Sequence, residues 1–323
     1  MSKKKNIAIL TGGDSAEHDI SILSANTVLN NLDSNLFNGY IIHLKKGEFT
    51  AIINEERTTI NKADFTLKIN KKISFYAVFM ALHGPPAENG MIQSYFDKLN
   101  IPYTSCNSSI SKLTFNKYKC NEKLSKLGFN CPKSYIYKNN KKIQEEYINS
   151  LIGTPCFIKP NKAGSSYGIS KVNKKGDLKT AIKNALKYDD EVLIEQYISG
   201  LEVSVGVFYN GKSIESLPVT EIISENDFFD YEAKYKGKSQ EITPARITKE
   251  LTESIQETTR NIYKRMNLSG ICRVDYIIQK NNPFIIEINT IPGLSKESII
   301  PKQLESANIN LSDFFALCLN NLN

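Results

Sequence analysis

Arg273-Val274-Asp275 and Glu287-Ile288-Asn289 each set two polar side chains two residues apart within an otherwise apolar run. Residues 271–278 and 284–288 are β-branched and aromatic, and Lys280-Asn281-Asn282-Pro283 between them is a turn signal, so the segment reads as an antiparallel hairpin. Side chains two apart on a strand share a face. A turn centred on Asn281 places Asp275 opposite Glu287 and Arg273 opposite Asn289. Two facing carboxylates destabilise a sheet unless a positive charge lies between them, which implies a cation. Two carboxylates and an amide carbonyl, with no Cys or His, make an oxygen set suited to Mg²⁺ that shares phosphate oxygens. The alternative is a half-buried hairpin whose polar face simply meets water. For an arbitrary R-x-D and E-x-N pair that alternative is the better one, and only further phosphate-handling residues overturn it.

Such residues occur upstream. No G-x-x-x-x-G-K-[ST] is present, which excludes a P-loop, and Gly12-Gly13 lacks the full dinucleotide fingerprint. Phe157-Ile158-Lys159-Pro160 ends an apolar run on a lysine and is followed by Lys162-Ala163-Gly164-Ser165-Ser166-Tyr167-Gly168. Small residues there let backbone N–H groups and hydroxyls approach phosphate oxygens while Lys159 adds a point charge. A glycine-serine surface turn explains the same residues equally well. Leu193-Ile194-Glu195-Gln196-Tyr197-Ile198 can be a strand running into a hinge whose backbone pairs with an adenine edge, with Glu202 at ribose hydroxyls; alone it is just a strand end. Lys117, in Thr114-Phe115-Asn116-Lys117, is in most proteins a solvated helix lysine. Each signal is weak by itself, but their order together with the hairpin is hard to obtain by chance.

The elements that must position these residues alternate along the chain. Residues 7–10 form a short buried strand, Thr11-Gly12-Gly13-Asp14-Ser15 breaks it, and residues 21–29 have helical spacing, the opening of an α/β unit. Residues 40–44, 49–53 and 76–80 read as further strands and 91–99 as a helix, giving a parallel-sheet domain over residues 1–105. A helix over 116–127, strands over 135–137, 156–159, 169–172 and 192–195 and a helix over 177–187 make an α+β middle domain, residues 106–200. In residues 201–323, strands are expected over 202–208 and 215–223 around the turn Tyr209-Asn210-Gly211-Lys212, and helices over 251–266 and 312–319. Residues 226–238 lack periodicity, and a loop of that length in a compact domain usually serves as a lid or binding segment.

Bulk properties bound the function. The 323 residues suffice for two or three domains, and 41% hydrophobic with 23% charged residues describes a globular protein with no membrane span. The apolar stretch after the basic N-terminus is too short for a secretory signal, which makes the cytoplasm the expected location. Six cysteines show no zinc spacing and read as reduced packing residues. A net charge of +7 comes from dispersed lysines without an aromatic RNA-binding run or a basic stripe, so nucleic acid is not an expected partner.

Taken together, the motifs resemble the D-alanine–D-alanine ligases of the ATP-grasp superfamily nearly end to end. They run from Gly12-Gly13-Asp14-Ser15-Ala16-Glu17 through Ala81-Leu82-His83-Gly84, Phe157-Ile158-Lys159-Pro160, Ala163-Gly164-Ser165-Ser166, Asp230-Tyr231-Glu232-Ala233-Lys234-Tyr235 and Arg273-Val274-Asp275 to Glu287-Ile288-Asn289-Thr290-Ile291-Pro292-Gly293. The resemblance implies a three-domain α/β (α+β) ATP-grasp fold, with ATP held between the central and C-terminal domains. It implies a homodimer that uses D-alanine, ATP and two Mg²⁺ or Mn²⁺ ions to make a dipeptide for peptidoglycan. By the same resemblance Lys117, Lys159 and Lys234 contact phosphate, as do Ser165 and Ser166 of the glycine-rich loop. Glu195, Gln196, Tyr197, Ile198, Glu202 and Phe228 form the adenosine pocket, and Asp275, Glu287 and Asn289 are the metal ligands. Glu17 receives the first D-alanine's ammonium, with Ser165 and Tyr235 as its hydrogen-bonding partners. His83 lies near that substrate, Ser298 and Ile299 near a substrate carboxylate, and Arg273 with the Gly293 N–H near the reacting carbonyl.

Departures from the family pattern carry their own expectations. Where the family has His-Gly-x-x-Gly-Glu-Asp-Gly, this chain has His83-Gly84-Pro85-Pro86-Ala87-Glu88-Asn89-Gly90. If the family's glycine needs positive φ, Ala87 strains this loop or reshapes it, and first-substrate affinity suffers. Lys296-Glu297 before Ser298 also differs from some relatives. A ligase for D-lactate or D-serine as second substrate is one alternative, though Tyr235 argues against D-lactate. A nucleotide-binding regulator without catalysis is another, opposed by the joint presence of Lys117, Lys159, Arg273, Asp275, Glu287 and Asn289.

Overall fold

The computed structural model describes residues 4–53, 56–139, 141–164, 167–224 and 239–322. Strand β1 (Lys5–Gly12) is buried from Ile7 onward on both faces, which only a central strand covered on both sides can be. Helix α1 (His18–Asn31) packs its Ser21, Ser24, Ala25 and Val28 face back onto the sheet. β2 (Phe37–Lys45), β3 (Glu48–Ile53), β4 (Glu56–Thr59), a small ribbon of β5 (Leu67–Lys68) and β6 (Lys72–Ile73), and β7 (Ala77–Met80) follow. The resulting sheet runs β4-β3-β2-β1-β7. It is parallel across β2-β1-β7, whereas β3 and β4 extend it as antiparallel hairpins, so the all-parallel sheet expected from sequence is mixed at one edge.

Helix α2 (Met91–Lys98), α3 (Ser108–Phe115) and α4 (Lys117–Lys126) lead to a second sheet, β10-β9-β11-β8. Its strands are β8 (Ser134–Lys138), β9 (Cys156–Pro160), β10 (Ser170–Val172) and β11 (Glu191–Gln196), with α5 (Glu145–Ile152) and α6 (Leu178–Ala185) on one side enclosing a core around Ile158, Ile182 and Ile194. The third sheet holds β12 (Leu201–Tyr209), β13 (Ile214–Ser216), β14 (Thr220–Ser224), β15 (Ser239–Ile242), β16 (Cys272–Gln279) and β17 (Asn282–Asn289). Residues 215–223, read from sequence as one strand, are two. β13 pairs with the end of β12 and β14 with its start, and Pro218 between them has no N–H for a ladder. Helix α7 (Lys249–Arg265), capped by Thr248, buries Ile255, Thr259, Ile262 and Tyr263 against this sheet.

Helices α8 (Ile299–Ser306) and α9 (Leu311–Asn320) return to the first sheet, where Phe315 meets Phe79 edge to face at 5.3 Å. One core is therefore built jointly by β1, α1, β7, α8 and α9, with Phe208 and Leu217 from the third sheet. Chain ends that are far apart in sequence are locked together, and the mouth of the first sheet faces the hairpin β16–β17.

Among the described residues no helix is long and apolar enough to cross a membrane.

Candidate active site

The hairpin shows how one local irregularity sets the chemistry. Its turn is Lys280-Asn281, both residues at positive φ, so Gln279 pairs with Asn282 and the turn centre falls between 280 and 281 rather than on Asn281. Continued without interruption, that register would set Glu287 against Val274 on the core side. A β-bulge at Ile286 slips the register by one, restoring Asp275 opposite Glu287 and Arg273 opposite Asn289 as expected. Ile285 and Ile288 thereby both reach the core, while the four polar residues share the other face.

The positive group beside Asp275 belongs to the protein. Arg273 donates to both Asp275 oxygens, Nε at 2.8 Å and a terminal nitrogen at 2.7 Å; Ser204 Oγ donates at 2.6 Å and Asn289 Nδ2 at 3.0 Å. The repulsion that implied a cation is thus met in part by Arg273 itself. Glu287 and Asn289 nevertheless face open space, and the donor set of Asp275, Glu287 and the Asn289 amide oxygen, reached by turning its amide, is all oxygen, which fits Mg²⁺ or Mn²⁺.

That space is a cavity of about 510 Å³ where the three sheets meet. Glu17, His83 and Glu88 line it from the first sheet, Lys117 from α4, Gly164 from the loop after β9, and Arg273, Glu287, Asn289, Gly293, Ser298 and Ile299 from the C-terminal part. Glu17 follows β1, while His83 and Glu88 follow β7, at the carboxyl ends of parallel strands, where open α/β sheets bind ligands. The Glu17 carboxylate lies against two glycines: a Cβ on Gly84 would come within 2.8 Å of its Oε2 and one on Gly164 within 3.2 Å. Lys117 Nζ donates to the Ala163 carbonyl at 2.6 Å, tying α4 to the glycine-rich loop. Ser298 stands at the N-cap position of α8 with its hydroxyl against Ser295 Oγ at 2.7 Å, and a Cβ on Gly293 would stand 2.6 Å from that hydroxyl, so a side chain there would force Ser298 to shift.

Other expected residues stand outside the lining. Lys159 Nζ is paired with Glu195 at 2.5 Å, and Asn121 donates to the other Glu195 oxygen, so in this state that carboxylate orients a lysine. Gln196 pairs through its backbone N–H and its side chain with Lys133. Tyr197 sits against Phe157 with Lys171 Nζ 4.3 Å over its ring, and Ile198 is buried. With Glu202 these residues form the junction between the second and third sheets. Asp275 lies just beneath the cavity wall, and Ser165, Ser166, Phe228, Lys234 and Tyr235 fall outside the described residues.

His83 lines the cavity but is bonded through both ring nitrogens, Nδ1 to the Ile291 carbonyl oxygen at 2.9 Å and Nε2 to Ser24 Oγ at 2.8 Å. Burial, with a smaller effect from the Arg273 charge, holds its pKa below the ordinary value against the opposing pull of Glu17. The strain expected at Ala87 is absent. Ala87 is not among the residues at positive φ; it lies in a turn, its N–H donating to the Gly84 carbonyl at 3.0 Å, and its methyl is buried.

Sequence reasoning passed over Glu88 as a site residue. Burial first, then the Glu17 and Glu287 charges, push its carboxyl up to about 8. An acidic loop residue reads as solvated; its place beyond the carboxyl end of a buried strand is the signal that would have found it. Ser24 was missed because a serine on a helix face has no chemical signature.

The family model described as D-ala D-ala ligase N-terminus matches residues 6–106, and that described as D-ala D-ala ligase C-terminus matches residues 125–319. A curated D-alanine–D-alanine ligase of Flavobacterium johnsoniae is 46% identical over 313 residues, 96% of this chain and 97% of the relative. That of Christiangramia forsetii is 46% identical over 315 residues, 97% of this chain and 96% of the relative. Among solved structures, the VanG D-Ala:D-Ser ligase from Enterococcus faecalis superposes with a TM-score of 0.90 at 31% identity, covering 98% of this chain and 99% of that one. The D-alanyl-alanine synthetase A from Vibrio cholerae gives 0.89 at 26% identity, with 99% of both chains covered.

Proposed function

Because the chain belongs to the D-alanine–D-alanine ligase family, we propose that the cavity between its sheets is where two D-alanines meet ATP, and we assign the roles of its walls accordingly. The protein is an ATP-dependent ligase that forms the carbon–nitrogen bond of D-alanyl-D-alanine for peptidoglycan synthesis, releasing ADP and phosphate. The reading of its site rests on one observation: Glu17, Lys117, Arg273, Glu287 and Gly293, spread over 277 sequence positions, converge on one cavity.

In this assignment Glu17, with Ser165 and Tyr235 as partners, receives the ammonium of the first D-alanine. The carboxylate oxygen of that D-alanine attacks the γ-phosphorus of ATP, giving D-alanyl phosphate as ADP leaves. Lys117, Lys159 and Lys234, with Ser165 and Ser166, neutralise phosphate oxygens that would otherwise repel the incoming anion. Glu195 keeps Lys159 extended for that task, and Glu195 to Ile198 with Glu202 and Phe228 hold the adenosine. Asp275, Glu287 and Asn289 would hold two Mg²⁺ or Mn²⁺ ions, which when bound supply positive charge at the phosphate oxygens. The second D-alanine, its carboxylate at Ser298 and Ile299, loses an ammonium proton to solvent; its amine attacks the acyl carbon, and phosphate leaves with the second proton released from nitrogen. Arg273 and the Gly293 N–H steady the oxyanion, where losing one donor commonly costs about 3 to 4 kcal/mol.

We further assign residues 1–105, 106–200 and 201–323 as three domains, the cytoplasm as the compartment and a homodimer as the working form, all on family grounds. ADP release measured with D-alanine, D-lactate, D-serine and no amino acid tests the reading. D-alanine alone should sustain it. The likeness to a D-Ala:D-Ser ligase favours D-serine as the rival second substrate, and mixed-dipeptide formation from D-alanine plus D-serine would select that rival. No D-alanine-dependent ADP release sinks the assignment altogether.

A further inference from the structure

We propose that Ser24 and His83 are positioning residues that clip the segment Ile291-Pro292-Gly293-Leu294 at both ends and so aim the Gly293 N–H at the reacting carbonyl. The proposal rests on the role assigned to Gly293 above.

Donor logic settles the order of the hydrogen bonds. The Leu294 N–H can only donate, and it reaches Ser24 Oγ at 3.1 Å. The Ile291 carbonyl can only accept, so the ring proton sits on His83 Nδ1; in the neutral ring Nε2 is then an acceptor, and the Ser24 hydroxyl directs its own hydrogen at it, 2.8 Å away. Nε2 then carries no proton. The neutral ring holds its proton on Nδ1 and donates it to the Ile291 carbonyl at 2.9 Å. A single chain of bonds therefore runs from Leu294 N–H through Ser24 and His83 to Ile291 C=O, grasping both ends of a four-residue segment whose third member is Gly293.

The clip is built to be rigid. Ser24 and His83 are 0% and 4% exposed, Ile291 and Leu294 equally buried, and the His83 backbone N–H is itself fixed by Ser21 Oγ at 2.9 Å. A closed, fully satisfied polar chain of buried groups resists displacement, because any one rupture leaves a buried group unpaired. It also links elements far apart in sequence: Ser24 belongs to α1, His83 follows β7, and residues 291–294 follow β17. His83 therefore does its work from behind the oxyanion donor, holding the segment in place with both ring nitrogens.

The two chemical steps depend on this segment unequally. Transfer of the γ-phosphoryl group to the D-alanine carboxylate needs the lysines and phosphate-side charge, whereas attack of the second amine on the acyl carbon develops the oxyanion that Gly293 faces. Loosening the segment should let D-alanyl phosphate form and then be lost to water. In Ser24→Ala, dipeptide turnover is expected to fall about tenfold to a hundredfold, the range for a roughly 1 Å misplacement. D-alanine-dependent ADP release should fall less, so that ADP formed per dipeptide rises above one, and the KM for ATP should stay as in the parent. Ser24→Thr, which keeps the hydroxyl, should restore the ratio. A merely structural role would lower both rates in parallel. A ratio of one in Ser24→Ala, or uncoupling that Ser24→Thr shares, overturns the proposal. An independent readout is the ¹⁵N spectrum of His83 in the ligand-free parent protein: a proton on Nδ1 is expected, and one on Nε2 or on both nitrogens overturns the donor order. That spectrum needs no turnover, so failure of the ligase reading and failure of the clip are told apart.

Discussion

Two cavity carboxyls answer to different physics. Glu88 is half-buried in the cavity wall near like charges, and its pKa is pushed up to about 8, first by its removal from water and then by the Glu17 charge. The folded protein binds the Glu88 proton more tightly than the unfolded chain, so the stabilisation it contributes is complete below the ordinary glutamate range and is lost as pH rises through about 8. Glu88→Gln should therefore gain stability relative to the parent between about pH 5 and about pH 9, read from melting temperatures of the ligand-free proteins. Parallel curves would refute it. Glu287 lines the cavity across from Asp275 and is assigned above to the metal site. Glu287→Gln should fold normally, lower turnover and raise the Mg²⁺ requirement by about tenfold or more, as loss of metal-site support commonly does. Full activity at low Mg²⁺ would remove Glu287 from the metal site.

The hairpin is the element on which most of this depends, and its turn is not optimal. Lys280 and Asn281 both sit at positive φ, at +49° and +66°, a conformation costing a non-glycine residue about 1 kcal/mol that Asn tolerates better than Lys and Gly best. The double change Lys280→Asn with Asn281→Gly should raise stability by about 1 kcal/mol and leave ADP release unchanged, because neither side chain reaches the cavity. A lower melting temperature would show that the turn is held by something other than local conformation. The bulge at Ile286 is the more consequential irregularity, since it alone moves Glu287 from the core side to the cavity side.

Across the whole molecule, closeness of backbones holds the sheets in register. At Gly270, with φ +66°, a Cβ would fall 2.6 Å from the Thr104 carbonyl oxygen, at the seam between the end of the first unit and β16. Gly270→Ala should destabilise the protein by about 1 to 3 kcal/mol, combining backbone strain with a contact that only main-chain movement can relieve. Thermal unfolding measures it, and an unchanged midpoint would mean the seam yields without penalty. The joint core of β1, α1, β7, α8 and α9 has the same consequence on a larger scale: it brings Glu17 and the Gly293 segment to one cavity although 276 positions separate them.

Much of this was legible in the residues. The buried first strand, its glycine turn, the amphipathic helices and the Arg273–Asn289 hairpin follow from apolar periodicity and turn chemistry, and the motifs identified the family because phosphate-handling residues must recur in that order. What sequence could not supply was register and contact between distant segments. It reached the Asp275–Glu287 pairing from a turn centred one half-residue too late, and only the bulge at Ile286 makes that pairing true. It gave no sign that His83 would bond Ser24 and Ile291, since whether an imidazole reaches a backbone carbonyl 208 residues away is decided by how the sheets pack. Local pattern carries short-range preferences within a strand or helix; bonds that close across units depend on the summed geometry of every element between them.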